Sequence, residues 1–276
     1  MSLPNLINMV NQPWVMEKAP LESLLNVFDM KLSNAVEYEA LVGMTQSNLF
    51  SKNNSSRWEQ DTALVGNKKV SYLKIDGTLV PRTGSMSPYC GMTPVIGATA
   101  IIKELAMTSD QLILHFDSPG GVVTAIPELA SVIRELDVET IAFTDTMMCS
   151  GAYWLASACN QIVASPSALV GSIGAYIAIT KENTVDSKSK THIFHAGNQK
   201  IYGSPSLELT DAESAHFQAS VDATRAWFVA DVALGRKQDA SVFEKTEAGV
   251  FKAKDVKGTL VDHIMTFDEM IEDLNS

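Results

Sequence analysis

Two short runs combine glycines with a potentially reactive group, and each follows an apolar segment. The first, Asp117-Ser118-Pro119-Gly120-Gly121, comes directly after Leu112 to Phe116 and before a helical stretch. Adjacent glycines at the carboxyl end of a strand permit backbone conformations and close approaches that side chains forbid, leaving N–H groups free to face a ligand. The same run also reads as a tight strand-to-helix turn without chemistry. The second, Met147-Met148-Cys149-Ser150-Gly151-Ala152-Tyr153-Trp154, joins the next strand to the next helix, with Ser150 at the helix start. Serine there is a common N-cap. Alternatively it is a nucleophile whose neighbouring amides and helix dipole stabilise an oxyanion, with Gly151 and Ala152 letting a substrate backbone come near. On the residues alone both readings stay open.

Positioning either run requires a scaffold of alternating elements. Strand-like runs at Val70–Ile75, Gln111–Phe116, Thr140–Phe143 and Gln161–Ala164 alternate with helical ones at Val95–Met107, about Val122–Leu136 and Ser150–Ala158. Repeated strand–helix units predict parallel strands joined by right-handed crossovers. Pro127 must lie in the first turn of its helix or bend it. A long helix opens at Thr210, where Thr-Asp-Ala-Glu fits a capping box with Glu213, and its apolar stripe includes Phe217, Val221, Phe228 and Val232. Near the start, Leu21, Leu24, Leu25, Val27 and Phe28 follow helical spacing after Pro20. The polar run Ser51–Asp61 then marks a boundary. The expected organisation is a helical arm and linker over 1–60 and a main domain over 61–276.

Composition narrows the class. Of 276 residues, 46% are hydrophobic and 19% charged, which excludes a globally disordered chain. A net charge of −11 argues against nucleic-acid binding and against anionic membrane surfaces. No window reaches the ~18 apolar residues of a bilayer span; Ala168–Ile179 is the longest candidate and carries Ser172. The start of the chain lacks the basic and apolar regions of a secretory signal, so export is not expected. Cys90, Cys149 and Cys159 have no metal-binding spacing, and their odd number reads as reduced thiols in a cytoplasm-like compartment.

The run from Ser150 to Gly174, Ser-Gly-Ala-Tyr-Trp-Leu-Ala-Ser-Ala-Cys-Asn-Gln-Ile-Val-Ala-Ser-Pro-Ser-Ala-Leu-Val-Gly-Ser-Ile-Gly, resembles the nucleophile region of the signal peptide peptidase A family. Asp-Ser-Pro-Gly-Gly resembles that family's oxyanion loop. The likeness extends from about Val70 to Val261, and Gly-Thr-Leu-Val-Pro-Arg-Thr-Gly at 77–84 is similar to the bacteriophage branch that matures capsids. The resemblance implies an α/β fold of the Clp protease/crotonase type, a superhelix of β-β-α units, here with an N-terminal helical extension. It implies peptide hydrolysis through an acyl-enzyme, with no cofactor and no metal.

By the same resemblance Ser150 is the nucleophile. The general base is Lys200, which precedes a Ser-Pro pair in Gln199-Lys200-Ile201-Tyr202-Gly203-Ser204-Pro205. Gln199 and Ile201 depart from the aromatic and acidic neighbours common in the family, and Lys181, Lys188 and Lys190 stand nearby. A Clp-type triad would need a histidine between Leu169 and Ile179, where there is none; His115 lies upstream and His192, His195, His216 and His263 downstream. Bringing a lysine from a pKa of about 10.4 to about 7 costs roughly 4 to 5 kcal/mol, so a catalytic Lys200 must be desolvated during turnover. Backbone N–H groups of Gly121 and Gly151 would hold the oxyanion, with Gly120 shaping the turn. Cys149 is the rival nucleophile.

Single-domain relatives assemble the pair across a subunit interface, which implies a homo-oligomer. The expected partners are polypeptides (scaffold, capsid or portal proteins) and other copies of the chain, with no nucleic acid and no membrane. The expected location is the host cytoplasm, within an assembling procapsid. A cellular signal-peptide-peptidase-like protease without an anchor, and a catalytically idle structural ring, are the alternatives. Some such proteins carry a C-terminal scaffolding extension; with the sequence ending at Ser276, that region is expected to be absent, encoded separately or removed.

Overall fold

Alternation along the strands builds a sheet with two different faces. The structure, a computed structural model, describes residues 14–16, 59–82, 91–181 and 192–276. The strands in chain order are β1 (Trp14–Met16), β2 (Gln60–Val65), β3 (Lys68–Asp76), β4 (Thr78–Val80), β5 (Met92–Pro94), β6 (Gln111–Asp117) and β7 (Gly120–Val122). They continue with β8 (Glu139–Thr144), β9 (Met147–Cys149), β10 (Gln161–Ala164), β11 (Leu169–Gly171), β12 (Val250–Lys252) and β13 (His263–Ile264). The helices are α1 (Val95–Ala106), α2 (Ile126–Arg134), α3 (Gly151–Ala156), α4 (Asp211–Arg236), α5 (Ala240–Glu244) and α6 (Phe267–Asn275).

The main sheet has the order β13-β10-β8-β6-β3-β2 and is parallel except for β2, which runs antiparallel to β3. On one face Leu73, Ile75, Leu112, Leu114, Phe116, Ala142 and Ile162 pack under α1 to α4. On the other, Val70, Ile113, Ile141, Phe143 and Val163 pack under α6 through Met270. Burial on both faces suits the run of β-branched and aliphatic residues in these strands.

Two smaller sheets, ordered β1-β7-β4-β5 and β12-β11-β9, form a further layer. The chain leaves β6 for β7 and then α2, and leaves β8 for β9 and then α3. Each time, a long strand is followed by a strand of three residues and then a helix. The short strands change one expectation. A helix expected from Val122 begins at Ile126, because Gly120–Val122 joins β7 and Ala125 turns the chain at φ 76°. Pro127 then sits in the first turn of α2, where its missing N–H costs nothing. The helical arm expected around 21–28 lies outside the described residues, as does Cys90.

α3 packs on α2, β7 and β9, and aromatic and polar side chains of α4 hold it from a further side. Trp154 stacks on Phe228 with centroids 4.4 Å apart and meets Trp227 edge-on. Its indole N–H donates to Asp231 at 2.6 Å, and the same carboxylate accepts two bonds from Arg134 of α2. Tyr153 donates to the Leu260 carbonyl at 2.9 Å. One carboxylate thus ties α2, α3 and α4 together.

Asp231→Ala should destabilise the fold by about 2 kcal/mol, since it leaves the Arg134 guanidinium and the Trp154 N–H without their acceptor in a mostly buried place. Thermal denaturation should show a fall in Tm of about 4–8 °C. Asp231→Asn keeps an acceptor for one donor and should lose less. An Asp231→Ala melt matching that of the unaltered chain would dismiss this carboxylate as the tie.

Candidate active site

The site starts at the carboxyl ends of β6 and β9, where two loops are stitched together by backbone groups. The Ser118 N–H donates to the Met147 carbonyl at 2.8 Å, and the Cys149 N–H returns to the Ser118 carbonyl at 3.1 Å. The Ser118 side chain is fully buried; its hydroxyl donates to the Gly77 carbonyl at 2.6 Å and accepts from the Gly120 N–H at 3.2 Å. Asp117 accepts from the Thr146 hydroxyl at 2.7 Å. These bonds fix the start of β7 against the start of α3.

Glycine is required in β7 for two reasons. Gly120 has φ 99°, in the left-handed half of the map that side chains avoid. At Gly121, which pairs with Leu79 of β4, a Cβ would overlap the Leu79 carbonyl.

Ser150 follows β9 at φ 55° and ψ −121°. A residue other than glycine rarely occupies this region, and it persists only where surrounding contacts impose it. Here the Ser150 N–H donates to the Gly171 carbonyl of β11 at 2.7 Å, and its carbonyl accepts from Trp154 at 2.9 Å. The side chain makes no cap bond to α3, so the N-cap role open to this serine in the sequence is not the one it plays. Ser150 is 1% exposed, and among the described residues nothing hydrogen-bonds its Oγ. A buried hydroxyl without a partner carries a desolvation cost of about 1–3 kcal/mol, and such cases are infrequent in folded proteins. Gly151 opens α3, so its N–H has no partner within the helix.

Next to this serine, Ser172 at φ 57° lines a cavity of about 240 Å³ with Gly174, Tyr176, Arg225, Glu247 and Ala248. Arg225 reaches Glu247 at 3.5 Å across it.

Lys200 stands in a 3-10 turn, Asn198–Ile201, and is exposed. It makes no hydrogen bond to Ser150 within the described part of one chain. The fold thus brings Gly120, Gly121, Ser150 and Gly151 together and leaves Lys200 out of hydrogen-bond contact with them. Its loop is nevertheless anchored. The Glu213 carboxylate of α4 accepts from the Gly203 N–H at 3.1 Å and from Thr210, closing the expected capping box. Tyr202 packs edge-on against His216, with centroids 5.3 Å apart. Lys181 donates to the Ser204 carbonyl at 2.8 Å, so it braces the same loop; Lys188 and Lys190 lie outside the described residues. The box was legible in Thr210 and Glu213, whereas the second task of Glu213 at Gly203 has no local sequence signal.

The other candidates stand in different surroundings. The Cys149 side chain is fully buried, and its thiol donates to the Leu169 carbonyl at 3.7 Å. His192 and His195 are exposed, and among the described residues no cluster of three His, Cys, Asp or Glu is placed to hold a metal ion. The larger cavity, about 710 Å³, lies on the opposite face of the main sheet from α3. In it His115 bridges the Tyr72 hydroxyl at 2.8 Å and Asp145 at 3.0 Å, like a proton relay. Burial, followed by the charges of Glu59 and Asp145, pushes the Tyr72 phenol up to about 12, so its oxygen stays protonated and is no nucleophile near neutral pH.

Comparison with known proteins places the chain among peptidases. The chain is 30% identical over 209 residues to capsid assembly protease C of Escherichia phage lambda, covering 73% of this chain and 48% of that protein. It is 27% identical over 231 residues to the head-tail preconnector protein GP5 of Enterobacteria phage P21, covering 77% of this chain and 46% of that protein. Protease 4 of Salmonella typhi is 31% identical over 170 residues, covering 58% of this chain and 27% of that protein. The chain therefore spans about half the length of the two phage proteins. Among its described residues no helix is long and apolar enough to cross a membrane. Residues 121–276, which include Gly121, Ser150, Gly151 and Lys200, match the family of peptidases designated S49, and the chain belongs to peptidase family S49.

Proposed function

We propose that the protein is a serine endopeptidase that cleaves phage head proteins through an acyl-enzyme on Ser150. The observation that carries this reading is the Ser150 hydroxyl itself: buried, without a hydrogen-bond partner among the described residues, on a strained turn at the start of α3. Strain and an unsatisfied hydroxyl both oppose folding, and a chemical task accounts for their being kept. In this reading the Ser150 oxygen attacks the substrate carbonyl and Lys200 accepts its proton. The N–H groups of Gly121 and Gly151 receive the developing oxyanion, and the protonated Lys200 then hands its proton to the leaving amine. Gly120, whose N–H is engaged by Ser118, shapes the turn.

The exposure of Lys200 in a single chain supports a dyad completed between subunits, since a neighbouring copy would supply the desolvation a neutral lysine needs. The succession of long strand, short strand and helix supports the Clp protease/crotonase-like superhelix, and with it a homo-oligomer. The two phage relatives support scaffold, capsid or portal polypeptides as substrates, met inside a procapsid. Intact Ser150 and Lys200 favour catalysis over an idle structural ring.

Ser150→Ala should lower proteolysis by at least about a thousandfold without unfolding the chain. Lys200→Ala and Lys200→Arg should be equally inactive, because a guanidinium stays protonated at working pH. Mixing Ser150→Ala with Lys200→Ala chains should restore part of the activity if the dyad spans subunits, and a mixture that stays inactive would place both groups in one chain. Full activity in Lys200→Arg would remove Lys200 from the mechanism.

A further prediction concerns the loop under Lys200. The Thr210 backbone N–H, then the Gly203 N–H, hold the Glu213 carboxyl below the usual carboxylate range. A carboxylate ionised more readily in the fold than in the unfolded chain stabilises above its unfolded pKa of about 4.3, and the contribution is lost as pH falls through the folded value. Glu213→Gln should therefore melt earlier than the unaltered chain at pH 7, with the gap closing on acidification below about pH 4. A gap of constant size across that range would show that charge at Glu213 is not what anchors the loop.

A further inference from the structure

We propose that the chain inhibits itself, its own residues Trp14–Met16 occupying the strand position that a peptide substrate takes beside the candidate oxyanion glycines. The proposal rests on the peptidase reading and follows from sheet topology.

The four-stranded sheet has the order β1-β7-β4-β5. One edge of β7 is covered by β4, through Leu79 and Gly121, so a peptide that pairs with β7 can do so on the other edge alone. That edge is taken by β1, in the register Trp14 opposite Val122, Val15 opposite Gly121 and Met16 opposite Gly120. A strand edge beside a catalytic serine is a natural place for an extended peptide to add by backbone pairing. Here an extended peptide belonging to the chain is already there.

Its polarity is the informative part. β7 begins two residues after Ser118, whose backbone exchanges hydrogen bonds with Met147 and Cys149, immediately before Ser150. The Gly120 end of β7 is therefore the end nearest the nucleophile. Because β1 runs antiparallel, it advances from Val122 towards Gly120, bringing its carboxyl end towards Ser150. The part of a substrate on the acyl side of the scissile bond must approach with the same polarity, since its terminal carbonyl is the one attacked. A parallel segment would have presented the opposite end. β1 thus imitates the acyl half of a substrate. Any substrate pairing with β7 must first displace it, and a tethered competitor acts at an effective concentration in the millimolar range.

The test measures binding without turnover. A fluorescein-labelled synthetic peptide of residues 10–18 is titrated by fluorescence anisotropy into the full chain carrying Ser150→Ala, alone or with Val15→Pro and Met16→Pro. Antiparallel ladders alternate bonded and non-bonded pairs, so removing the N–H at both 15 and 16 deletes a donor whichever register phase β1 adopts. The double proline chain should bind the peptide at least about tenfold more tightly than its parent. Val15→Ala with Met16→Ala keeps the backbone donors and should bind as weakly as the parent. Equal affinity of the proline chain and its parent, or no binding by either, would overturn the proposal. Hydrogen exchange on the unaltered chain gives a reading that needs no variant: slow exchange at residues 14–16 is expected, and exchange there at the rate of an unstructured peptide would equally overturn it. With Ser150 intact, a proline chain that binds tightly but cleaves no polypeptide would end the peptidase reading and leave the self-occupied strand standing. A chain that cleaves, with proline and parent binding alike, would do the reverse.

Discussion

Everything at the site hangs on the backbone reversal at Ser150. Holding a residue other than glycine at φ 55°, ψ −121° costs of order 1–3 kcal/mol, and the turn would relax unless its neighbours were fixed on both sides. They are. Upstream, β9 is clamped between Ser118 and β11; at the turn, the Gly171 carbonyl takes the Ser150 N–H; downstream, α3 is held by its own buried aromatic residues. Trp154 between Phe228 and Asp231, and Tyr153 on the Leu260 carbonyl, make α3 a rigid block although it has only six residues. A helix this short would be unstable alone. Packing supplies what its length does not.

The same constraint explains why Ser118 and Gly121 matter beyond their loop. Ser118 joins three segments with a single buried side chain and its backbone, namely Gly77 before β4, Gly120 in β7 and the residues leading to Ser150. Gly121 lets β4 come close enough that β7 has one edge left. A larger residue there would separate the strands and move the N–H groups away from the serine. The fixed turn and the narrow sheet are therefore two sides of one arrangement: one presents the hydroxyl, the other leaves a single track along which a peptide can reach it.

Much of this was legible from pattern. The parallel α/β architecture, the strand at Gln161–Ala164, Pro127 in a first turn and the capping box at Thr210 with Glu213 all followed from local rules that the tertiary structure leaves intact. The neighbouring placement of the loop after β6 and the turn after β9 followed from both runs lying at the carboxyl side of neighbouring parallel strands. What escaped was the second layer. β7, β9 and β11 have three residues each, too few for any periodicity, and β7 opens with two glycines, which disfavour strands on their own. Their conformation is imposed by neighbours distant in sequence. The Ser118 hydroxyl escaped for a related reason: of its two bonds, the one to the Gly77 carbonyl joins residues 41 apart, which nothing local connects.

Lys200 shows a different limit. The turn that carries it is tied down by Glu213, Lys181 and Tyr202, yet the side chain is exposed, whereas a lysine that accepts a proton must be shielded from water. The anchoring and the exposure fit together if the loop is a docking element, prepared in each chain and completed by contact with another. An anchored loop loses little entropy on docking, so the interface need supply only the desolvation. On the proposed reading, with β1 lying along β7, the isolated chain lacks two conditions for turnover: a shielded base and an open track. Were the proposed substrates enclosed with the enzyme, delayed onset would matter more than speed, and a site whose serine is prepared while the proposed base and track are withheld has that property.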